Sequence, residues 1–289
     1  MSTNTPYIFP SVDLLKQQEE ENNSKKALLH KIITSDTFQQ TEIHLPIALG
    51  EMLDEKPFVI DIFKAPHLLI AGSKREYVLN SINVILLSLL YKKSPSELKL
   101  VLIDPLTELS GIGYKNVITE KEAAIEILEA LGIEMDRRYE LLRETATRNI
   151  NQYNDKIKEE TANEKYKILP YIVVVISEFS KLTRKKITEC YIARLAQLAR
   201  AVGIHLIIAT GKHPKSFVSE YIKHNFPSFI ALDAPSLNYL REVSQSIKVG
   251  NIFVRYNDNI GCISAATITI PEVKRIIASI EVDAYSHIL

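Results

Sequence analysis

The sequence predicts an α/β protein in which a largely parallel sheet is covered by helices on both faces. Short apolar segments alternate with amphipathic segments along most of the 289 residues. The apolar segments, which include HLLIAG, KLVLID, PYIVVVIS and IHLIIAT, are continuous in hydrophobicity and do not alternate with polar residues. Strands that are buried on both faces have this pattern, and the intervening amphipathic segments supply the helical crossovers that parallel strands need.

The first 42 residues are predicted to be an N-terminal arm followed by a short helix. Residues 1–26 are polar, carry the charge run KQQEEE and offer little apolar surface to bury, so an extended arm is expected there. The short helix is expected over residues 26–34. The main domain is expected over residues 43–289, and it begins with strands at 44–49 and 57–63.

The remaining elements follow from hydrophobic spacing and from chain breaks. Strands are predicted at 67–72, 99–104, 170–177, 204–210, 226–232 and 250–256. Helices are predicted at 75–92, 120–146, 192–203, 214–224 and 236–246, and residues 147–168 are expected to form a helix and then a loop. Strand 170–177 has the strongest signal because its β-branched run carries no polar residue before its end.

Charge and composition exclude several classes of protein. Lys plus Arg and Asp plus Glu both number 35, so the net charge gives no overall attraction to nucleic acid, and any DNA contact would need a local basic patch. Cys190 and Cys262 are isolated, and the seven histidines are scattered, so no metal site is predicted. No apolar run has signal-peptide character or the ~20 residues that span a bilayer. A cytoplasmic protein without a membrane segment is expected.

The loop after HLLIAG is the first candidate for a functional site, because ligands of such sheets bind at the carboxyl ends of the strands. A phosphate-binding loop has the form Gly-x-x-x-x-Gly-Lys-Ser/Thr. From Gly72 the chain reads Gly-Ser-Lys-Arg-Glu-Tyr-Val-Leu, so only the first glycine is in place. Tyr77, Val78 and Leu79 replace the second glycine, the lysine and the metal-binding hydroxyl. This motif is degenerate.

Gly72, Ser73, Lys74 and Arg75 are the candidate nucleotide contacts that this degenerate loop still offers. Lys74 and Arg75 lie where the following helix should begin, a position at which basic side chains and backbone N–H groups can bind an anion. They could equally be solvated basic residues in a turn. Glu76 places a negative charge where phosphates would lie.

Two other strand ends carry vestigial candidates. The strand PYIVVVIS is followed by Glu178, whereas nucleotide-hydrolysing motors end this strand with two acids, one for Mg²⁺ and one for the attacking water. Ser177 stands at the first of these positions, so Glu178 is a catalytic candidate on its own, or simply a charge at a helix N-terminus. Thr210 ends IHLIIAT and could contact a phosphate, or could cap a helix.

The loop after Glu178 contains the basic run KLTRKK. Arg184, Lys185 and Lys186 are candidates for contacts with DNA phosphates, since lysine and arginine supply the sequence-independent part of DNA binding. The alternative is a solvated surface loop.

Several segments together resemble the motor domain of the FtsK/SpoIIIE double-stranded DNA translocases. They include LPIALGEMLDEKPFVIDIFKAPHLLIAG, LPYIVVVISE and YIARLAQLARAVGIHLIIAT, and the resemblance extends over roughly residues 43–256. PSVDLL and ALLHKIITSDTFQ resemble segments that flank the first, α domain of this family. They nearly abut in this sequence, as though the α domain had been deleted. From the same resemblance, we expect this copy to lack the family's winged-helix γ domain.

The resemblance implies a RecA-like P-loop NTPase fold and a ring of subunits around duplex DNA that acts in chromosome segregation and cell division. The glycine, lysine and serine of the family's phosphate loop fall on Tyr77, Val78 and Leu79. The family's metal-binding aspartate falls on Ser177, and its catalytic glutamate falls on Glu178. The resemblance therefore implies that the fold is retained and that the ATPase chemistry is lost.

Three functions are left open by the sequence. The first is a non-hydrolysing DNA-associated or ring-assembly module that needs no cofactor, with double-stranded DNA and copies of itself or FtsK-like relatives as partners. The second is an active ATP-dependent double-stranded DNA translocase that uses ATP and Mg²⁺, with Lys74 and Arg75 replacing the missing lysine. The third is an enzyme of another class that binds a small molecule in the crevice at the strand ends.

Overall fold

The computed structural model describes residues 9, 27–40, 42–159, 165–182, 186–211, 225–233, 236, 251–256 and 259–280. Most of the predicted arm over residues 1–26 and the predicted helices 214–224 and 236–246 lie outside these ranges. No helix within the described ranges combines the length and the hydropathy needed to cross a membrane.

A single mixed sheet organises the described chain. Its strands are β1 (Ala27–Leu28), β2 (Pro46–Glu51), β3 (Pro57–Asp61), β4 (Leu68–Ala71), β5 (Leu98–Ile103), β6 (Tyr171–Ile176), β7 (Ile204–Thr210), β8 (Ser228–Ala231), β9 (Asn251–Tyr256) and β10 (Asn259–Thr267). The spatial order is β3-β2-β10-β9-β8-β4-β7-β6-β5, and β1 pairs with β10 outside this path.

The helices of the described ranges connect or cover these strands. They are α1 (Leu29–Ile33), α2 (Asp36–Gln39), α3 (Arg75–Lys92), α4 (Glu108–Ile112), α5 (Lys121–Glu144), α6 (Ile150–Glu159), α7 (Lys186–Leu198) and α8 (Ile270–Ala278). Helix α7 begins and ends several residues before the predicted helix 192–203. Gly203, with a φ of 75°, instead belongs to the turn that leads into β7.

The prediction of a parallel sheet is confirmed for its central part. Strands β8, β4, β7, β6 and β5 pair in parallel, and every residue of β4, β6, β7 and β8 is buried. The pairs β8–β9, β9–β10, β10–β2 and β2–β3 are antiparallel, whereas β1 pairs with β10 in parallel, so the sheet is mixed. The links between β2 and β3 and between β9 and β10 are too short for the helical crossover that a parallel pair requires, so these two pairs are antiparallel hairpins.

Helix α3 follows the candidate loop and packs against the sheet, where it contacts β2, β10 and β7. It is apolar around most of its circumference, as expected for a helix without a solvent-facing side. The backbone N–H of Ala48 in β2 donates to the Ser88 hydroxyl at 3.1 Å, and the Asn80 amide donates to the Ala266 carbonyl of β10 at 2.9 Å. These contacts fix the rotation of α3 and therefore decide which of its side chains face the strand ends.

Candidate functional site

The loop between β4 and α3 is short and closely packed. It consists of residues 72–74, and α3 begins at Arg75, two residues before Tyr77, the position at which a phosphate loop has its second glycine. Gly72 donates its N–H to the Thr210 carbonyl at 3.2 Å. A Cβ at Gly72 would lie 2.8 Å from the Leu232 Cβ, so the glycine allows β4, β7 and β8 to end side by side.

The three positions that should hold the lysine and its neighbours face the protein interior. Val78 has no exposed surface. Tyr77 and Leu79 are half-buried and pack against the hydrophobic core. A valine side chain has no donor for a phosphate, and the early start of α3 places these residues inside a regular helix. The side chains at these positions therefore do not fit a nucleoside triphosphate or its metal ion.

Ser73 binds a carboxylate of the protein itself. Both its N–H and its hydroxyl donate to Oδ2 of Asp233, which follows β8. The other oxygen of Asp233 accepts from the N–H and the hydroxyl of Ser236, at 3.0 and 2.6 Å. Burial raises the pKa of Asp233, but the hydrogen bonds from Ser236 and Ser73 together outweigh burial and bring the pKa below its usual value. Asp233 is therefore a carboxylate at neutral pH.

Arg75 points across the strand ends and not into solvent. Its Nε donates to Oε2 of Glu108 at 2.7 Å, and its Nη1 donates to the Ser177 carbonyl at 2.7 Å. The same Nη1 lies 3.9 Å from Oε2 of Glu178. Lys74, in contrast, is exposed, and its ammonium lies 5.2 Å from the centroid of the Tyr77 ring. Of the two basic candidates, Arg75 is therefore bound by groups of the protein itself, whereas Lys74 is exposed.

Glu178 is buried and held by the neighbouring strand. Its Oε1 accepts from the Thr210 hydroxyl at 3.1 Å and from the Ser180 N–H at 3.2 Å, and its Oε2 accepts from the Gly211 N–H at 2.7 Å. A general base needs an oxygen that can reach the attacking water. Both oxygens of Glu178 instead join β6 to the end of β7, and the hydroxyl of Thr210 is directed at Glu178.

Ser177, onto which the resemblance places the family's metal-binding aspartate, follows β6 and is fully buried. Its hydroxyl donates to Oδ1 of Asp104, which is fully buried at the end of β5. Asp104 also accepts from the backbone N–H groups of Leu106 and Leu109, at 3.2 and 2.7 Å. The Ser177 hydroxyl therefore has an acceptor in Asp104. The Asp104 carboxylate accepts from this hydroxyl and from the backbone at the start of α4.

The predicted DNA-binding residues lie only partly within the described ranges. Arg184 and Lys185 lie outside the described residues, whereas Lys186 is the exposed first residue of α7. Among the residues with a described position, no group of three or more His, Cys, Asp or Glu side chains is arranged to hold a metal ion.

Asp104, Glu108 and Asp233 are site residues that the sequence reasoning missed. Two of them carried a signal, because Asp104 ends KLVLID and Asp233 ends SFIALD, each at the carboxyl end of a predicted strand. Glu108 had no comparable signal, since its importance comes from its contact with Arg75, 33 residues away in the chain.

Comparison with known proteins identifies sequence relatives. A model of the FtsK/SpoIIIE family matches residues 28–224. DNA translocase FtsK of Campylobacter jejuni subsp. jejuni serotype O:2 is 41% identical over 230 residues, which are 77% of this chain and 24% of the relative. DNA translocase FtsK of Chlorobaculum tepidum is 37% identical over 229 residues, 73% of this chain and 28% of the relative. The chain thus spans about a quarter of the length of these relatives.

Two solved structures are similar to the chain as a whole. The pCW3 conjugation coupling protein TcpA, in a monomer form with ATPγS, aligns with a TM-score of 0.71 at 23% identity over 89% of this chain and 75% of that one. The cytoplasmic domain of the type VII secretion ATPase EccC of Thermomonospora curvata aligns with a TM-score of 0.69 at 20% identity over 88% of this chain and 34% of that one. These likenesses confirm the predicted P-loop NTPase fold.

Proposed function

Because the chain belongs to the FtsK/SpoIIIE family, we propose that it is a translocase-type domain that no longer hydrolyses nucleotide and acts by binding and assembly. Its partners in this proposal are duplex DNA and a ring formed with copies of itself or with FtsK-like relatives. The cytoplasm is the compartment in which such partners would be met, and cell division and chromosome segregation are the processes in which the domain would act.

The observation that carries the proposal is the full burial of Val78 at the position of the phosphate-binding lysine. Another residue of α3 could supply a phosphate-binding group at this position only if the helix rotated about its axis. Losing one preorganised donor commonly lowers a rate on the order of 10²–10³-fold. Here the lysine, the hydroxyl and the metal-binding acid are all missing, and such losses, even when they are not additive, leave negligible turnover.

Retention of the rest of the fold supports a binding role. The central strands β6 and β7 are fully buried, so the fold that would carry an assembly or DNA-binding surface is retained. A DNA contact would depend on local charge because the chain carries 35 basic and 35 acidic residues. Lys181 and Lys186, which flank the part of the basic loop outside the described residues, are both exposed.

Isothermal titration calorimetry with Mg-ATP tests the loss of nucleotide binding. We expect no measurable heat and no DNA-stimulated phosphate release, with the corresponding domain of the Campylobacter jejuni relative as the positive control. Micromolar affinity together with turnover would overturn the proposal and would favour the active translocase.

Fluorescence polarisation with a labelled duplex at low salt tests the DNA contact. We expect a salt-dependent affinity that falls in the Lys181→Glu/Lys186→Glu variant, because each lost phosphate contact reduces the number of counterions released. The matched control is Lys121→Glu/Lys158→Glu, two changes on other helices. If both double variants bind as the unchanged protein does, this surface does not contact DNA.

The active translocase makes a different prediction for the loop. Arg75 is already bound to Glu108 and Ser177, so only Lys74 could move to a phosphate. An ATPase that depends on Lys74 would disappear in Lys74→Ala and persist in Lys181→Ala.

A further inference from the structure

The mismatch between the loop and a nucleotide leads to an inference about what holds the loop in place. Nucleotide-binding loops of this fold are ordered in part by phosphate and metal contacts. In this chain the loop is short, and Lys74 and Arg75 carry positive charges at its end. Three acidic side chains lie against Ser73 or Arg75, namely Asp233, Glu108 and Glu178.

The first contact joins β4 to β8 through an anion. Ser73 gives both its N–H and its hydroxyl to Asp233, and Ser236 fixes the other carboxylate oxygen of Asp233. A backbone N–H at the start of a phosphate loop is a group that would otherwise be available to an anionic ligand. Here a carboxylate of the chain takes this N–H, over a separation of 160 residues in the sequence.

The second contact joins the start of α3 to the first residue of α4 and to the end of β6 through a cation. The guanidinium of Arg75 binds the carboxylate of Glu108 and the carbonyl of Ser177, and lies near the carboxylate of Glu178. The Arg75 and Glu108 side chains are only 25% and 28% exposed, so solvent screens this pair less than a surface pair.

We propose that these two contacts form a clasp, defined by Ser73, Asp233, Arg75 and Glu108, that keeps the crevice at the strand ends closed in the absence of any nucleotide. The anion of the clasp comes from Asp233, and its cation comes from Arg75. The inference rests on the proposed loss of nucleotide binding and adds that the chain's own side chains hold the loop in a single conformation.

The clasp explains how the loop could lose its ligand and still be ordered. The two contacts lie on opposite sides of residues 72–75. The contact of Ser73 with Asp233 lies on the side of β8, and the contact of Arg75 with Glu108 lies on the side of β5. Breaking either contact should therefore open the loop locally without unfolding the sheet, because the central strands are held by their own pairing and burial.

Hydrogen–deuterium exchange of the full chain tests the clasp. In Asp233→Ala, and separately in Arg75→Gln, we expect exchange of the amides of residues 73–77 to rise at least about tenfold, while the amides of β6 keep their protection. Asp136→Ala, which removes an exposed partner of Arg194 on a distant helix, is the matched control and should leave residues 73–77 unchanged.

Three outcomes of this experiment separate the clasp from simpler explanations. Unchanged exchange at residues 73–77 in both variants would overturn the clasp, and so would an equal rise in β6, which would mean global destabilisation. A rise confined to residues 73–77 supports it. ATP hydrolysis by the unchanged protein would refute the proposed function, whereas the exchange result concerns the clasp alone, so the two failures are distinguishable.

Discussion

The carboxyl ends and the amino ends of the parallel strands both carry buried polar side chains, but these side chains are stabilised differently at the two ends. At the carboxyl ends, charged side chains such as Arg75, Glu178 and Asp233 are retained because each has partners. At the amino ends, His67 and His205 lie among aromatic rings and are retained in the neutral form. Pairing makes the first end sensitive to the loss of a partner, and desolvation makes the second end sensitive to acid.

The amino-end cluster is aromatic and fully buried at its centre. The ring of Phe63 lies 6.1 Å from that of His205 and 5.9 Å from that of Tyr171, between centroids. Burial lowers the pKa of His67 to about 3. Burial also lowers the pKa of His205 well below its usual value, and the neighbouring His67 adds to this. Neither ring nitrogen of His205 has a hydrogen-bond partner among the described residues.

The largest effect is expected when the missing lysine is restored at the carboxyl end. Val78→Lys would place an ammonium at a fully buried position without a partner, which should lower the free energy of unfolding by ~3–5 kcal/mol. Urea denaturation measures this change. Glu76→Lys, two residues earlier and exposed, is the control and should change stability by less than about 0.5 kcal/mol. An unchanged free energy of unfolding in Val78→Lys would contradict the burial of this position.

Acid should act mainly through the amino end. The pKa of His67 is about 3 in the folded state and 6.5 when unfolded, so the unfolded state binds the proton first as the pH falls. The stability that neutral His67 contributes is thus present above pH 6.5 and is lost below it, by roughly 2 kcal/mol between pH 7 and pH 5. His205 shifts in the same direction and should increase the loss.

Urea denaturation at several values between pH 7 and pH 5 measures this loss. His67→Phe and His205→Phe should flatten the pH dependence even if each changes the stability at pH 7. An equally steep profile in both variants would assign the acid sensitivity to other groups.

An effect of similar or smaller size is expected from breaking one pair at the carboxyl end. Ser177→Ala removes a donor from the buried carboxylate of Asp104, which keeps its two backbone donors, so stability should fall by about 1–3 kcal/mol. Thermal or urea unfolding measures the loss. Ser180→Ala, in the following turn, is a matched serine truncation. An unchanged midpoint in Ser177→Ala would show that the backbone donors alone satisfy Asp104.

The smallest effect tests whether pairing matters only where it is buried. Arg194 and Asp136 form an ion pair between α7 and α5 with side chains 47% and 56% exposed. Asp136→Asn should therefore change the free energy of unfolding by less than about 1 kcal/mol, and less still at high salt. A loss as large as that of Ser177→Ala would remove the distinction between buried and exposed pairs.

The sequence predicted the central strands well because their signal is local. β6, for example, is a run of six buried residues that reads as a strand without any knowledge of its neighbours. In the antiparallel part of the sheet, β2, β3 and β9 were predicted as strands, but β10 and the antiparallel pairing were not. β10 has a weak pattern, and its pairing with β2 depends on residues far away in the chain.

The sequence located the candidate loop but could not show the side-chain contacts that form there. The absence of the lysine is visible at Val78 in any window of the sequence. The contacts of Ser73 with Asp233 and of Arg75 with Glu108 join residues that are 160 and 33 positions apart, so a local pattern cannot show them. Whether Glu178 was a base or a structural acid likewise depended on Thr210 and Gly211, 32 and 33 residues later.

The pairing of β2 with β10 has a consequence for synthesis of the chain. It places Gly50 opposite Ala265 and Glu51 opposite Ser264, so β2 has to wait for a strand that is synthesised much later. Until β10 has been synthesised, the β2–β3 hairpin exposes an unpaired edge on which nascent chains can associate. Contacts of such long sequence separation also slow folding. The amount of chaperone needed for expression should therefore increase with the time between the synthesis of β2 and the synthesis of β10.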